Sequence, residues 1–310
     1  MTKFAFVFPG QGSQSRGMMS GYADFPEVRD TFAEASEVLQ QDLWQLVAEG
    51  SDADLNATVN TQPIMLTAGV AVYRAWQAQH GAMPAMMAGH SLGEYTALVA
   101  AGALKFSDAL PLVRYRAECM QRAVPEGVGG IAAILGLDDD AVRAVCVEGA
   151  QGEVLEAVNF NSPGQVVIAG NRAAVERGME LAKAKGAKRA IMLPMSVPSH
   201  CRLLQGAADQ LRAYLVDVAV QAPAIPVLHN ADVKSYADAA AIKDALVRQL
   251  YSPVRWVETV QEFGKQGITH NVECAPGKVL AGLNKRIDIN QQAMAINDGA
   301  ALQAALAALV

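Results

Sequence analysis

A serine held between two glycines, Gly89-His90-Ser91-Leu92-Gly93, is the segment of this 310-residue chain with the clearest chemical content. Residues 84–88 before it read as a short buried strand, and residues 94–101 after it read as an apolar helix closed by Gly102. A G-x-S-x-G between strand and helix is the pattern of a nucleophile elbow, a turn that strains the serine backbone and exposes its hydroxyl. The flanking glycines remove side chains that would collide in such a turn. The chemistry implied is acyl transfer through a serine ester.

A serine hydroxyl is a poor nucleophile at neutral pH and needs a base. Of five histidines, His90 adjoins the serine in a tight turn, where neighbours point apart, and reads as a packing residue. His80 follows a helix and His270 begins a buried strand, ordinary positions for surface and core histidines. His229 ends a strand over 226–228 and could edge a site. His200, in Pro198-Ser199-His200-Cys201, lies in an irregular loop that can present a side chain into a cleft, and is the favoured base. No acid completes a triad convincingly. Asp108, read with Ser107 as a helix cap, and Asp138-Asp139-Asp140 already have helix-end explanations. A dyad in which an amide or a backbone carbonyl orients His200 therefore stands beside the triad.

In a helix over 108–122 the 3.6-residue period puts Arg116 on one apolar face with Ala109, Leu112, Val113, Met120 and Ala123. A buried guanidinium without an anion is costly. Its partner is either a protein carboxylate in a buried salt bridge or a substrate carboxylate held bidentately. Pro9-Gly10-Gln11-Gly12-Ser13-Gln14 forms a turn at the carboxyl end of the first strand, where α/β proteins place their ligands. Walker spacing and its lysine are absent, which leaves the Gln11 N–H, with the Leu92 N–H, as oxyanion donors.

The elements that must hold these residues alternate. Strands over 4–8, 85–88, 226–229 and 270–273 are separated by helix-length amphipathic segments, an α/β pattern with a mostly parallel sheet, and residues 300–310 form a C-terminal helix. One stretch differs. Strand 130–135, helix 139–148, strand 154–160, the turn Asn161-Ser162-Pro163-Gly164, strand 165–169, helix 172–185 and strand 190–193 give the order βαββαβ of a ferredoxin-like unit. Pro125-Glu126-Gly127 on one side and Pro194 and Pro198 on the other punctuate it. The expected division is a core of residues 1–125 and 197–310 with an inserted subdomain of 126–196; the alternative keeps all strands in one sheet.

Bulk properties narrow the function. A formal net charge of -6 argues against general nucleic-acid binding. No apolar run approaches the roughly 20 residues of a membrane span, and the N-terminus reads as a first strand rather than a signal peptide, so the chain is expected in the cytoplasm. Cys119, Cys146, Cys201 and Cys274 are scattered without C-x-x-C pairs or histidines at ligand spacing, so neither a metal site nor a disulfide framework is expected.

Phe8-Pro9-Gly10-Gln11-Gly12-Ser13-Gln14, Gly89-His90-Ser91-Leu92-Gly93-Glu94, Arg116, Asn159-Phe160-Asn161-Ser162-Pro163-Gly164-Gln165 and Pro198-Ser199-His200 together resemble the bacterial malonyl-CoA:acyl carrier protein transacylases. The resemblance spans essentially the whole chain. It implies an α/β-hydrolase-like core with an inserted ferredoxin-like subdomain, Ser91 as nucleophile, His200 as its base and Arg116 as ligand of the malonyl carboxylate. It further implies oxyanion donors at Gln11 and Leu92, and a Gln249 that helps orient His200. The substrates implied are malonyl-CoA and a phosphopantetheinylated acyl carrier protein, with no further cofactor, no nucleic acid and no membrane, and the chain is expected to act as a monomer. An acidic carrier needs a basic landing surface. Lys183, Lys185, Lys188 and Arg189, or Lys278, Lys285 and Arg286, fit that need unless they are simply solvated. Three other readings stand: a serine esterase or thioesterase, a non-catalytic docking protein for acyl carriers, and malonyl supply to a polyketide synthase or a malonate decarboxylase.

Overall fold

A computed structural model describes residues 2–125, 127–194 and 197–309. Along the first part of the chain run β1 (Phe4–Phe8), α1 (Pro26–Leu39), α2 (Leu43–Glu49), α3 (Asp52–Asn56) and α4 (Thr58–Ala78). The elbow follows, with β2 (Met86–Gly89), α5 (Gly93–Ala100) and α6 (Phe106–Ala123). Then come β3 (Gly129–Leu135), α7 (Asp139–Ala150), β4 (Leu155–Ser162), β5 (Gln165–Asn171), α8 (Arg172–Ala184) and β6 (Arg189–Met192). The last part holds α9 (Gln205–Leu215), β7 (Val227–Leu228), α10 (Ala239–Gln249), α11 (Trp256–Lys265), β8 (His270–Cys274), α12 (Val279–Ile287), β9 (Gln292–Ile296) and α13 (Gly299–Ala308).

Two sheets organise these elements. β7-β2-β1-β8-β9 is entirely parallel, and β4-β5-β3-β6 is entirely antiparallel, so the single-sheet alternative does not hold. β1 is buried at all five positions because helices cover both faces of the parallel sheet, which is why its sequence is a continuous apolar run rather than an alternation. Phe4 and Phe6 stack edge-on against Trp76 of α4 on one face, while Ala5 and Val7 join Trp256 and Phe263 of α11 on the other. α4 is apolar around most of its circumference, as a helix enclosed by the core must be.

The antiparallel sheet packs α7 and α8 on one face through Ile134, Phe160 and Ile168. Its other face presents Ile131, Val158 and Val167 towards Cys201. Reciprocal backbone hydrogen bonds between Val254 and β4, at 2.8 and 3.0 Å, tie this sheet to the segment that follows α10.

Several boundaries differ from the sequence expectation. β4 runs on through Asn161 and Ser162, so the turn is only Pro163-Gly164, with Gly164 at φ +73°. The helix expected to start at Asp108 starts at Phe106, which makes Asp108 a first-turn acid facing the helix dipole rather than a cap. β9 and helices α1 to α3 carried no expectation. Among the division points, Glu126 and Ser196 lie outside the described residues. The four cysteines are free and buried. Among the described residues no helix is long and apolar enough to cross a membrane, and no group of three or more His, Cys, Asp or Glu could hold a metal ion.

Candidate active site

The elbow sits at the carboxyl end of β2, where Gly89 pairs with Phe8 of β1. Its glycines are required by contact. A Cβ on Gly89 would lie 1.8 Å from the Gly93 carbonyl carbon, and one on Gly93 would lie 1.9 Å from the Phe8 oxygen. Neither backbone can yield without dismantling the strand-to-helix turn. Ser91 adopts φ +52°, the left-handed region that an L-residue enters only at a cost, and its N–H donates to Asn230 Oδ1 at 2.7 Å.

Ser91 Oγ and His200 Nε2 are 2.8 Å apart. His200 is itself at φ +65°, anchored by its N–H to the Leu250 oxygen at 3.0 Å. Its Nδ1–H donates to the Gln249 carbonyl oxygen at 2.8 Å, which leaves the Nε2 lone pair facing the serine. The arrangement is a dyad oriented by a backbone carbonyl, with no acid bonded to the imidazole among the described residues. Burial, reinforced by the positive charge of Arg116, pushes His200 down to about 3. The imidazole is therefore neutral, and able to accept a proton, at any physiological pH.

Arg116 of α6 is 1% exposed. Nη1 donates to Gln62 Oε1 at 2.8 Å, Nη2 to Gln249 Oε1 at 3.0 Å and to Ser91 Oγ at 3.3 Å, while Nε has no partner. The guanidinium also lies over the Tyr95 ring, 5.4 Å from its centroid. No carboxylate forms an ion pair with it among the described residues. Of the two partners its sequence position allowed, a paired protein carboxylate is absent among the described residues, and Arg116 lines a cavity beside the serine.

That cavity has a volume of about 360 Å³ and is lined by Gln11, Ser91, Leu92, Arg116, Asn161 and His200, with Ile131, Val167 and Leu193 from the antiparallel sheet and its exit strand as an apolar wall. The Gln11 and Leu92 N–H groups donate to nothing within the described residues. A Cβ on Gly10 would stand 2.5 Å from the His90 oxygen and 3.5 Å from the Leu92 nitrogen, so the turn after β1 lies directly on the elbow. The Ser91 N–H is occupied by Asn230, whereas the Gln11 and Leu92 N–H groups remain unengaged among the described residues.

Gln249, expected to help orient His200, meets it through its main-chain oxygen, whereas its side chain meets Arg116. His90 packs on Trp256, and its Nε2 also meets Asn161 Oδ1 at 2.8 Å within the cavity, where burial lowers its pKa. His229 is not at the cavity edge: it lies beneath the elbow, 2.7 Å from Glu94. His80 sits in a left-handed turn just beyond α4, and His270 meets Thr269 at the start of β8. Gln62, Glu94 and Asn230 carried no functional expectation.

Of the basic residues, Lys183 and Lys185 are paired with Glu180 and Glu148 at 2.7 and 2.9 Å. Lys278, Lys285 and Arg286 belong to α12 and its cap, whose Val279, Leu280 and Leu283 line the cavity. Arg286 donates to Gln165 Oε1, also on the cavity wall, at 2.8 Å.

A serine on an elbow, a neutral histidine within hydrogen-bond reach of it, two unengaged backbone N–H groups and a cavity with an apolar wall define a serine acyltransferase. Residues 5–294 match the acyl transferase domain family. The chain is 57% identical to the malonyl CoA-acyl carrier protein transacylase of Salmonella typhimurium over 307 residues, 99% of each chain. The crystal structure of an acyl-carrier-protein S-malonyltransferase from Burkholderia pseudomallei superimposes with a TM-score of 0.97 at 61% identity, covering 99% of this chain and 100% of that one. A malonyl-transacylase solved in complex with a type II polyketide synthase acyl carrier protein superimposes with a TM-score of 0.98 at 52% identity, over 99% and 100% of the two chains. The chain belongs to the malonyl-CoA:acyl carrier protein transacylase family of acyltransferases.

Proposed function

We propose that this chain moves a malonyl group from malonyl-CoA to the phosphopantetheine thiol of an acyl carrier protein through a malonyl ester on Ser91. His200 accepts the Ser91 proton as Oγ attacks the thioester carbon. The tetrahedral oxygen is held by the Gln11 and Leu92 N–H groups, each contributing on the order of 2.7 to 4 kcal/mol to the transition state. Collapse expels CoA, whose sulfur takes the proton from His200. The carrier's thiol gives its proton to His200, attacks the ester and regenerates the serine, so one histidine serves both half-reactions. Protein groups supply every proton transfer and charge on this route, which calls for no metal or cofactor.

The observation that carries the proposal is Arg116, buried beside Ser91 with amides as its hydrogen-bond partners and no carboxylate paired with it among the described residues. An acyl group ending in a carboxylate supplies the missing anion, and an acetyl group does not. A hydrolase would more ordinarily orient its histidine with an acid, where His200 has only a carbonyl. The α12 residues Lys285 and Arg286, next to the cavity, are the landing surface we favour for the acidic carrier.

The same reading extends to architecture and setting. Residues 1–125 and 197–310 form an α/β-hydrolase-like core, and 126–196 an inserted ferredoxin-like subdomain, an assignment supported by the order β4-β5-β3-β6 of its strands. On this reading the chain acts as a monomer, and the setting is malonyl supply for fatty acid synthesis in the cytoplasm. Isotope exchange tests the route. Labelled CoA should exchange into malonyl-CoA without carrier protein, and initial rates with both substrates varied should give parallel double-reciprocal lines. Exchange that requires the carrier would refute a covalent intermediate.

A further inference from the structure

Beneath the elbow lies a buried carboxylate that the acyl-transfer steps do not use. Glu94, in the first turn of α5, is fully buried. Its Oε1 accepts from His229 Nδ1 at 2.7 Å, and its Oε2 accepts from the Asn230 backbone N–H and from Gln249 Nε2, both at 2.8 Å. Gln249 Nε2 has two hydrogens, and the second goes to the Ser91 oxygen at 2.9 Å. With both hydrogens committed, the amide can present only its oxygen to Arg116, at 3.0 Å. A flipped amide would set its oxygen against the Glu94 carboxylate and the Ser91 carbonyl, and its NH2 against a guanidinium that has only donors to offer.

We propose that Glu94 is a positioning residue for the acyl-carboxylate clamp, fixing the Gln249 amide orientation and through it the place of the Arg116 guanidinium. This rests on the malonyl-transfer reading of the site. The Glu94 charge also favours the guanidinium through space, but what fixes the Gln249 amide is an oxygen at the right reach. A glutamine at position 94 can set its oxygen under the Asn230 N–H and Gln249 Nε2 and turn its NH2 to His229. The imidazole then accepts at Nδ1 and carries its proton on Nε2, an atom with no partner among the described residues, so that the tautomer change breaks no existing bond. An aspartate keeps the charge but withdraws the oxygens by one methylene, out of reach of Gln249.

The two conservative variants therefore separate reach from charge. Malonyl and acetyl transfer are measured side by side for Glu94→Gln and Glu94→Asp, with the preference taken as the ratio of their kcat/KM values. Glu94→Gln should keep that ratio within about threefold of the unsubstituted chain, and Glu94→Asp should lower it tenfold or more, chiefly through the KM for malonyl-CoA. In a Gln249→Met background, which retains the carbonyl that holds His200, Glu94→Asp should change the ratio less than twofold. The proposal is overturned if Glu94→Asp keeps the preference while Glu94→Gln loses it, if Glu94→Asp slows both acyl groups equally, or if the Glu94→Asp effect persists in full without the Gln249 amide. Failure of the malonyl-transfer reading would show instead in the unsubstituted chain's own ratio, before any substitution.

Discussion

Replacing Arg116 with alanine probes the assignment that turns a general acyl site into a malonyl site. The guanidinium is 1% exposed, and its neighbours Gln62, Gln249 and Ser91 are uncharged, so a substrate carboxylate would meet it in a dry pocket. A hydrogen bond between charged groups contributes roughly 1.5 to 3 kcal/mol, and a bidentate contact makes two. Two such bonds total about 3 to 6 kcal/mol, which brackets the roughly 3 to 5 kcal/mol cost of removing one partner from a buried ion pair, the range adopted for Arg116. At 1.4 kcal/mol per factor of ten, malonyl transfer should fall between roughly a hundredfold and a few thousandfold in kcat/KM. Acetyl transfer has no carboxylate to lose and should stay near its starting rate or rise. Because the Arg116 charge also helps hold His200 down, the acid limb of the residual acetyl activity should move to higher pH. The assay is steady-state transfer from each acyl-CoA to carrier protein across a pH series. Equal loss for both acyl groups would refute the clamp and leave Arg116 a structural residue.

Further outcomes follow from the same geometry. Gly93→Ala drives a Cβ to 1.9 Å from the Phe8 oxygen and should destabilise the fold by about 3 kcal/mol, read from the denaturant midpoint; an unchanged midpoint would contradict the elbow packing. Since His200 lies near 3 in the folded chain against an ordinary 6.5, malonyl transfer should show no acid limb near 6.5. Between those values the unfolded chain binds a proton the folded one refuses, so His200 should make stability fall as pH falls through that window, measurable as a declining Tm. Glu273 behaves oppositely. Burial raises it from 4.5 to about 7 against hydrogen bonds from the first N–H groups of α12, so ionising it costs stability as pH rises through that window, and Glu273→Gln should raise Tm at pH 8 but hardly at pH 5. Charge reversal at Lys285 and Arg286 should raise KM for carrier protein and leave KM for malonyl-CoA unchanged; equal effects on both would move the landing surface elsewhere.

The residues that announce the site share one property: their signal is local. Ser91 is framed by glycines two positions either side, Arg116 stands out against the apolar period of its own helix, and β1 is a short apolar run ended by Pro9-Gly10. The βαββαβ order was equally readable, because each strand and helix there is punctuated by its own turn. What stayed hidden depends on long-range pairing. Glu94 looks like an ordinary first-turn acid until His229, Asn230 and Gln249, some 135 to 155 residues away in sequence, close around it. The carbonyl that orients His200 has no signature at all, since every residue carries one. The cap assigned to Asp108 failed for a related reason: an acid two residues inside a helix and an acid at its cap leave the same trace in a sequence.

The most direct measurement is the intact mass of the protein after mixing with malonyl-CoA and again after adding carrier protein. The double-displacement route predicts a single malonyl adduct that maps to Ser91, persists without acceptor, is absent from Ser91→Ala and reappears on the carrier. Rapid loss of the adduct to water before carrier is added, or transfer by Ser91→Ala at the native rate, would contradict it.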